Sequence, residues 1–389
     1  MLCGHIMQGG VSHRGREALT SRAYQWFSRR KIKAFYSVVD DVGFKDGANA
    51  LVQASGIGKL KPNILLMGFK ENWQTSERNE IVDYVEVMHK ALDVHMAIAL
   101  LRVSGGQYCG DALDTDLQAY LNDVNLKDLS AFSRSSMSDV SMGGSPRLRR
   151  AVSTDPTAAG LHKPQPAKND EKDTGKGIGS AVRRALGSTT ARRTSSFTSV
   201  EQFTKRQAGT VDVWWLYDDG GLTLLLPYIL STRRAWSSCP LRVFTLANKN
   251  TELEIEERNM ASLLSKFRID YSALKMIADI TRRPKDSTLA YFDKLVAPFK
   301  AVDDNDSTGI TEADLLAAQE RTYRQLRLRE LISSQSRHAR LVCVTLPMPR
   351  RRAVVPPALY VAWLHAVATA ADRTLLVRGN HAAVLTFYS

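Results

Sequence analysis

Cysteine is scarce in this 389-residue chain. Cys3, Cys109, Cys239 and Cys343 stand far apart, with no C-x-x-C and no Cys/His pair at zinc-site spacing. A disulfide scaffold and a zinc ribbon are therefore excluded, and a reducing compartment is expected. Long apolar runs are missing too: the longest, Leu222 to Leu230, contains Pro227 and falls well short of the roughly 20 residues of a membrane-spanning helix. The N-terminal MLCGHIMQGG lacks the charged and apolar regions of a secretory signal. There is no G-x-S-x-G elbow, and His5, His89, His95 and His381 are isolated singles, read as surface or core histidines. No catalytic site and no bound cofactor or metal are expected.

What is present is the composition of a folded protein, 44% apolar and 24% charged, at a length that suggests two or three domains at roughly 150 residues each. The net charge is +13, from 53 basic and 40 acidic residues. Such a balance raises nucleic acid or an anionic membrane as partners, but the charge is unevenly placed. Residues 130–207 hold 21 Ser or Thr, 14 basic and 6 acidic residues, a net of +8, leaving +5 for the rest of the chain. A segment so poor in aliphatic residues buries too little apolar surface to offset its chain entropy. It reads as a disordered, solvated linker between two folded parts, residues 1–129 and 208–389, and no nucleic-acid partner is expected.

Before the linker, Ile32 to Val39 reads as a strand, Asp46 to Ser55 as a helix and Asn63 to Phe69 as a second strand. Ile81, Val85, Met88 and Leu92 recur at helical spacing, and Val94 to Val103 forms an almost continuously apolar third strand, as in a parallel sheet covered on both faces. The pattern is a β-α-β-α-β half. After the linker come the strand Val211 to Tyr217, the turn Asp218-Asp219-Gly220-Gly221, an apolar helix to about Leu230 and the strand Leu241 to Leu246. A helix striped by Met260, Leu263, Leu264 and Phe267 follows, with a strand over Met276 to Ile280. Thr311 to Asp314 has capping-box spacing for a helix running to about Ile332. Leu341 to Leu346, a helix near Pro357 to Ala370, and a terminal hairpin of Thr374 to Arg378 and Ala383 to Tyr388 complete the series. The expected fold is α/β: two layered halves with a largely parallel sheet.

Motifs that would carry chemistry are weak. Asp304, Asp306, Thr308 and Gly309 match part of a calcium loop, but its twelfth position is Leu315 instead of the bidentate Glu. Gly175 to Ser180 resembles a phosphate cradle but lies in the linker with no strand before it. Gly56 and Gly58 read as a helix C-cap. Trp214 and Trp215 read as one core and one interface residue, rather than as a base-stacking platform. In the linker, Arg149 and Arg150 precede Ser153, and Arg192 and Arg193 precede Ser195 and Ser196, the spacing of basophilic kinase sites. Phosphate there adds about −2 charge per site.

Several strings resemble one family. Val211-Asp212-Val213-Trp214-Trp215-Leu216-Tyr217-Asp218-Asp219-Gly220-Gly221-Leu222-Thr223-Leu224-Leu225 resembles the start of the second half of the cytosolic C-terminal domain of cation-chloride cotransporters. Lys31 to Tyr36, Lys61-Pro62-Asn63 and Gly68-Phe69-Lys70 resemble the first half. Leu263 to Tyr271, Thr322 to Leu328 and Leu376-Val377-Arg378-Gly379-Asn380-His381, with the ending Leu385 to Ser389, resemble the sodium-potassium-chloride branch. The resemblance implies a regulatory domain of two halves similar to universal stress proteins. It implies homodimerisation beneath a twelve-helix transporter on the cytosolic side of the plasma membrane, and modulation by protein kinases acting on the linker. Trp214, Trp215, Asp218, Asp219, Gly220 and Gly221 would be structural residues of the family motif. The family's membrane part has no counterpart, so a fragment is expected and no ion-binding residue carries over. The loop after Val103 also departs from the family. A free-standing nucleotide-binding α/β sensor is the competing expectation.

Overall fold

A computed structural model of the chain describes residues 1–56, 58, 60–104, 206–217, 219–247, 253–301, 309–348 and 355–385. Nearly all of the linker, with Ser153, Ser195 and Ser196, lies outside the described residues, as do Asp218, the acidic stretch 302–308 and the Gly175 to Ser180 run. Gln207, assigned to the end of the linker, is buried, and its backbone N–H donates to Ala235 O at 2.7 Å.

The molecule is α/β with a mostly parallel sheet. Strands β1 (Leu2–Ile6) and β2 (Phe35–Val39) pair in parallel as a separate two-stranded sheet. Helix α1 (His13–Arg29), started by the Ser12 side chain accepting from Gly15 N at 3.2 Å, packs on β2. Helix α2 (Phe44–Ala54) lies against β1 so closely that a Cβ at Gly47 would strike Ile6. Neither β1 nor α1 is evident from apolar periodicity, because α1 is rich in Arg and polar residues.

The main sheet holds seven strands in the order β3-β4-β9-β8-β5-β6-β7. These are β3 (Ile64–Gly68), β4 (Ala97–Val103), β5 (Val211–Trp215), β6 (Leu241–Leu246), β7 (Ala273–Ile277), β8 (Leu341–Thr345) and β9 (Arg373–Arg378). All neighbours are parallel except β4 and β9. The expected three-strand first half therefore does not form one sheet: β2 stays with β1, while β3 and β4 extend the sheet of the second half. The reason is burial. β4 has apolar residues on both faces, Ile98 and Leu100 on one and Ala97 and Ala99 on the other, and β9 satisfies its second edge. The described residues on both sides of the linker accordingly belong to one compact unit.

Side-chain alternation divides the core between the two sheet faces. One face carries Trp214, Phe244, Val342, Val344, Leu376 and Leu100 beneath helices α3 (Arg78–Asp93), α6 (Asp286–Val296), α8 (Gln319–Gln335) and α9 (Pro357–Ala368). The other carries Val211, Val213, Trp215, Leu241 and Val243 beneath α4 (Leu222–Ser231) and α5 (Leu253–Lys266). α9 is buried on nearly every side, which matches its lack of a polar stripe. Its last carbonyls are met by cations: Arg329 Nη1 donates to Ala366 O at 2.7 Å, and Arg102 Nη1 to Ala368 O at 3.4 Å. The one charge inside β5, Asp212, is fully buried and held by the cross-strand guanidinium of Arg242, whose Nε donates to Oδ1 at 2.8 Å.

The helix capped at Thr311 stops early: the capping box with Asp314 is present, but α7 (Glu312–Ala317) ends at Ala318 and α8 begins after it. No strand forms over Ala382 to Leu385, so the described part of the terminal hairpin is absent. That segment instead folds over the turn after β5, where Val384 N donates to Gly220 O at 2.9 Å.

Candidate functional site at the carboxyl end of β5

Strands β7-β6-β5-β8-β9 repeat the order of doubly wound sheets, in which successive connections leave the first strand in opposite directions. Here β5 is that strand, so the crevice between the carboxyl ends of β5 and β8 is the switch point where such folds place ligands. Asp219, Gly220 and Gly221 form the turn there. Asp219 is fully buried, and its carboxylate gathers the turn around it. Oδ1 accepts from Gly221 N at 3.2 Å, while Oδ2 accepts from Thr223 N at 3.1 Å, Thr223 Oγ1 at 2.6 Å and Gly379 N at 3.3 Å. Asp219 thus caps the start of α4, where a helix favours negative charge.

Gly220 (φ 77°) and Gly221 (φ 86°) are both left-handed. A Cβ at Gly220 would strike the carbonyl of Ala382, and one at Gly379 would strike the carbonyl of Asp219. Glycine is required at these positions because the tail after β9 runs directly over the turn. Asn380 fixes that tail, donating from Nδ2 to His95 O at 2.6 Å and accepting from Ala382 N at 3.1 Å. The switch-point crevice is covered by the chain's own segment Gly379 to Leu385.

Beside it opens a cleft of about 420 Å³, walled by Trp215, Tyr217, Met260, Phe267 and Leu385 and bounded by Gly220. Its described lining is apolar apart from Thr245, the Tyr217 phenol and the turn backbone, and these described residues include no nucleophile–base pair. Cys343 is unsuited to nucleophilic chemistry: burial, and then the charge of Asp219, push its thiol up, and Sγ donates to Thr223 O at 3.3 Å. Among the described residues no cluster of His, Cys, Asp and Glu could hold a metal ion.

The profile of solute carrier family 12 matches residues 1–389. The chain belongs to solute carrier family 12. It is 39% identical over 416 aligned residues to a bumetanide-sensitive sodium-(potassium)-chloride cotransporter of Manduca sexta, covering 100% of this chain and 38% of that protein. It is 36% identical to solute carrier family 12 member 1 of Mus musculus, covering 94% of the chain and 33% of the relative, and 34% identical to member 2 of the same species, covering 100% and 33%. The chain thus spans about a third of the length of these relatives. The crystal structure of the cytoplasmic domain of a prokaryotic cation chloride cotransporter aligns with 97% of the chain and 85% of its own, at 11% identity and a TM-score of 0.42.

In this family-12 chain the motif residues separate into distinct roles. Trp214 is fully buried, stacks on Phe244 at 4.5 Å between ring centroids and donates from Nε1 to Ser336 Oγ at 3.1 Å. Trp215, 9% exposed, faces the opposite side and belongs to the chain's own second core, so the expectation of one core and one interface tryptophan is replaced by two core residues. Asp219, Gly220 and Gly221 build the turn. Sequence reasoning missed Thr223, Gly379 and Asn380 as their partners. The Gly379-Asn380 pair signals a turn, but only the fold shows that the turn sits on Asp219.

Proposed function

We propose that this chain is the cytosolic regulatory and dimerisation domain of an electroneutral sodium-potassium-chloride cotransporter, and that it moves no ions by itself. The match to solute carrier family 12 along the whole chain carries this reading. It is supported by the chain's extent, about a third of relatives that include a sodium-(potassium)-chloride cotransporter, and by the lack, among the described residues, of a helix long and apolar enough to cross a membrane. In this proposal the halves 1–129 and 208–389 act as one platform at the cytosolic face of the plasma membrane, and the basic linker 130–207 is its control element. Kinases acting on Ser153, Ser195 and Ser196 would partly neutralise the linker's positive field. To regulate transport, the phosphorylated and bare states must contact the two transporter conformations differently.

The competing nucleotide-sensor reading needs an open crevice at the switch point, where Gly379 and Ala382 already sit against the turn. The test is flux. The chain reconstituted alone in liposomes is expected to pass no chloride or rubidium. Joined to the membrane part of a sodium-potassium-chloride cotransporter, it is expected to support flux that changes when Ser153, Ser195 and Ser196 are replaced by Ala. Flux from the chain alone would overturn the proposal, as would flux from the joined protein indifferent to the three substitutions.

A further inference from the structure

Strand β9 lays Thr374, Leu376 and Arg378 along the face covered by α9. Thr374 Oγ1 donates to Ala368 O, at the end of α9, at 3.0 Å, and Leu376 shares a core with Tyr360 and Trp363. From 374 to 378 the strand rises about 13 Å. From 368 back to 360 the helix rises about 12 Å. The two run antiparallel, so Arg378 arrives beside the first turn of α9. Independent contacts agree: Leu346 N donates to Val377 O at 2.7 Å, and the Tyr360 hydroxyl donates to Pro347 O at 3.0 Å, holding Tyr360 level with the end of β9. Arg378 also lies opposite the fully buried Ile98 in the β4–β9 register. Burial pushes the Tyr360 phenol up, and the nearby Arg378 charge opposes that shift.

Arg378 is only 8% exposed, its Nε has no hydrogen-bond partner, and no described carboxylate pairs with it. A guanidinium Nε buried without a partner is costly. Its position makes matters worse. Arg102 and Arg329 sit at the carboxyl end of α9, where a helix favours cations, whereas Arg378 sits at the amino end, where it favours anions. No side chain caps that end; the cap position is Pro356. A largely buried cation and a helix start without a side-chain cap converge, with no carboxylate of the described residues paired to either.

We propose that Arg378 and the first turn of α9 form a binding site for a small oxyanion of the phosphate class. A guanidinium fork engages two oxygens of such a group at once, and its tetrahedral shape leaves another for the helix N–H groups. The site lies one residue before Gly379 of the Asp219 turn but on the opposite face of the sheet, and it does not depend on the transport reading.

The test uses the full chain, with inorganic phosphate as the probe and sodium chloride and sodium sulfate at matched ionic strength as comparisons. Thermal unfolding of the wild-type chain is expected to rise with phosphate and saturate, as linkage to a folded-state site requires, and the ³¹P resonance of phosphate is expected to broaden. Arg378→Gln is expected to abolish both responses, and Arg378→Lys, which loses the fork, to weaken binding about fivefold or more. A rise that does not saturate, the general salting effect of phosphate, overturns the proposal. So does an unchanged response in Arg378→Gln, or saturation by chloride at the same concentrations. Should Arg378→Gln fail to fold, the wild-type ³¹P line decides: no broadening, or equal broadening by Arg378→Lys, removes the site.

Discussion

The carboxylate of Asp219 accepts a hydrogen bond from the backbone N–H of Gly379, 160 residues further along the chain, at 3.3 Å. This contact joins the turn after β5 to the tail after β9, across the end of β8. Together with Thr223 and Gly221 it satisfies a fully buried carboxylate.

Replacing Asp219 by Ala would leave three backbone N–H groups without their acceptor in a buried turn, and the Thr223 hydroxyl with only its longer bond to Val377 O at 3.4 Å. A loss of about 3 kcal/mol is expected, from several charge-assisted bonds that are not additive. Denaturant unfolding measures it, and a shift under about 1 kcal/mol would show that the turn is held by other contacts.

Gly220→Ala forces a side chain into left-handed backbone and into the Ala382 carbonyl, whereas Gly10 has open space around it. The Gly220 variant is expected to lose about 2 kcal/mol or more and the Gly10 variant close to nothing. The tail should loosen with it, so amide exchange at Val384, which donates to Gly220 O, is expected to speed up. Equal stability of the two variants would contradict the packing of the tail on the turn.

Arg329→Met removes hydrogen bonds to Ala366 O at 2.7 Å and Thr369 Oγ1 at 2.6 Å, and a guanidinium lying 4.5 Å from the Tyr291 ring centroid. Loss of a cation at the end of a buried helix is expected to lower stability by about 2 kcal/mol. Thr369→Val, which keeps the Arg329 bond to Ala366, is expected to cost about half as much. The ranking of the two midpoints checks the assignment.

His365 is pushed down to about 4, first by burial and then by the charges of Arg102 and Arg329. Trp73 Nε1 donates to its Nδ1 at 3.2 Å, which requires the neutral ring. An unfolded histidine protonates near about 6.5. Between those limits the unfolded chain binds a proton that the folded chain refuses, so this stability is complete above the upper limit and is lost as pH falls towards the lower one. The loss should reach at most about 3 kcal/mol. His365→Gln is expected to flatten the unfolding profile in that window; an unchanged slope would assign the pH dependence to other groups.

Much of the fold was legible because local signals agreed with one another. The apolar run of β4, the stripe of α3 and the capping box at Thr311 and Asp314 depend on neighbours within a few residues, and each formed where expected. The polar helix α1 was not legible, since its few core contacts, Leu19 and Phe27, leave no clear stripe. Of the candidate site, the Asp219-Gly220-Gly221 turn could be read directly, while Thr223, Gly379 and Asn380 could not be linked to it. The buried, unpaired state of Arg378 left no trace in the strand that carries it.

Sequence by itself determined the alternation of strands and helices, the segregation of positive charge into residues 130–207 and the family, because these rest on residue type and short-range order. Only the tertiary structure decided that β3 and β4 complete the sheet of the second half, that the tail closes over the Asp219 turn, and that Arg378 meets the wrong end of α9 for a cation. Those are matters of which edges, faces and helix ends come together over long stretches of chain. They follow from the joint requirement to cover apolar faces and satisfy buried polar groups, which no local window of residues contains.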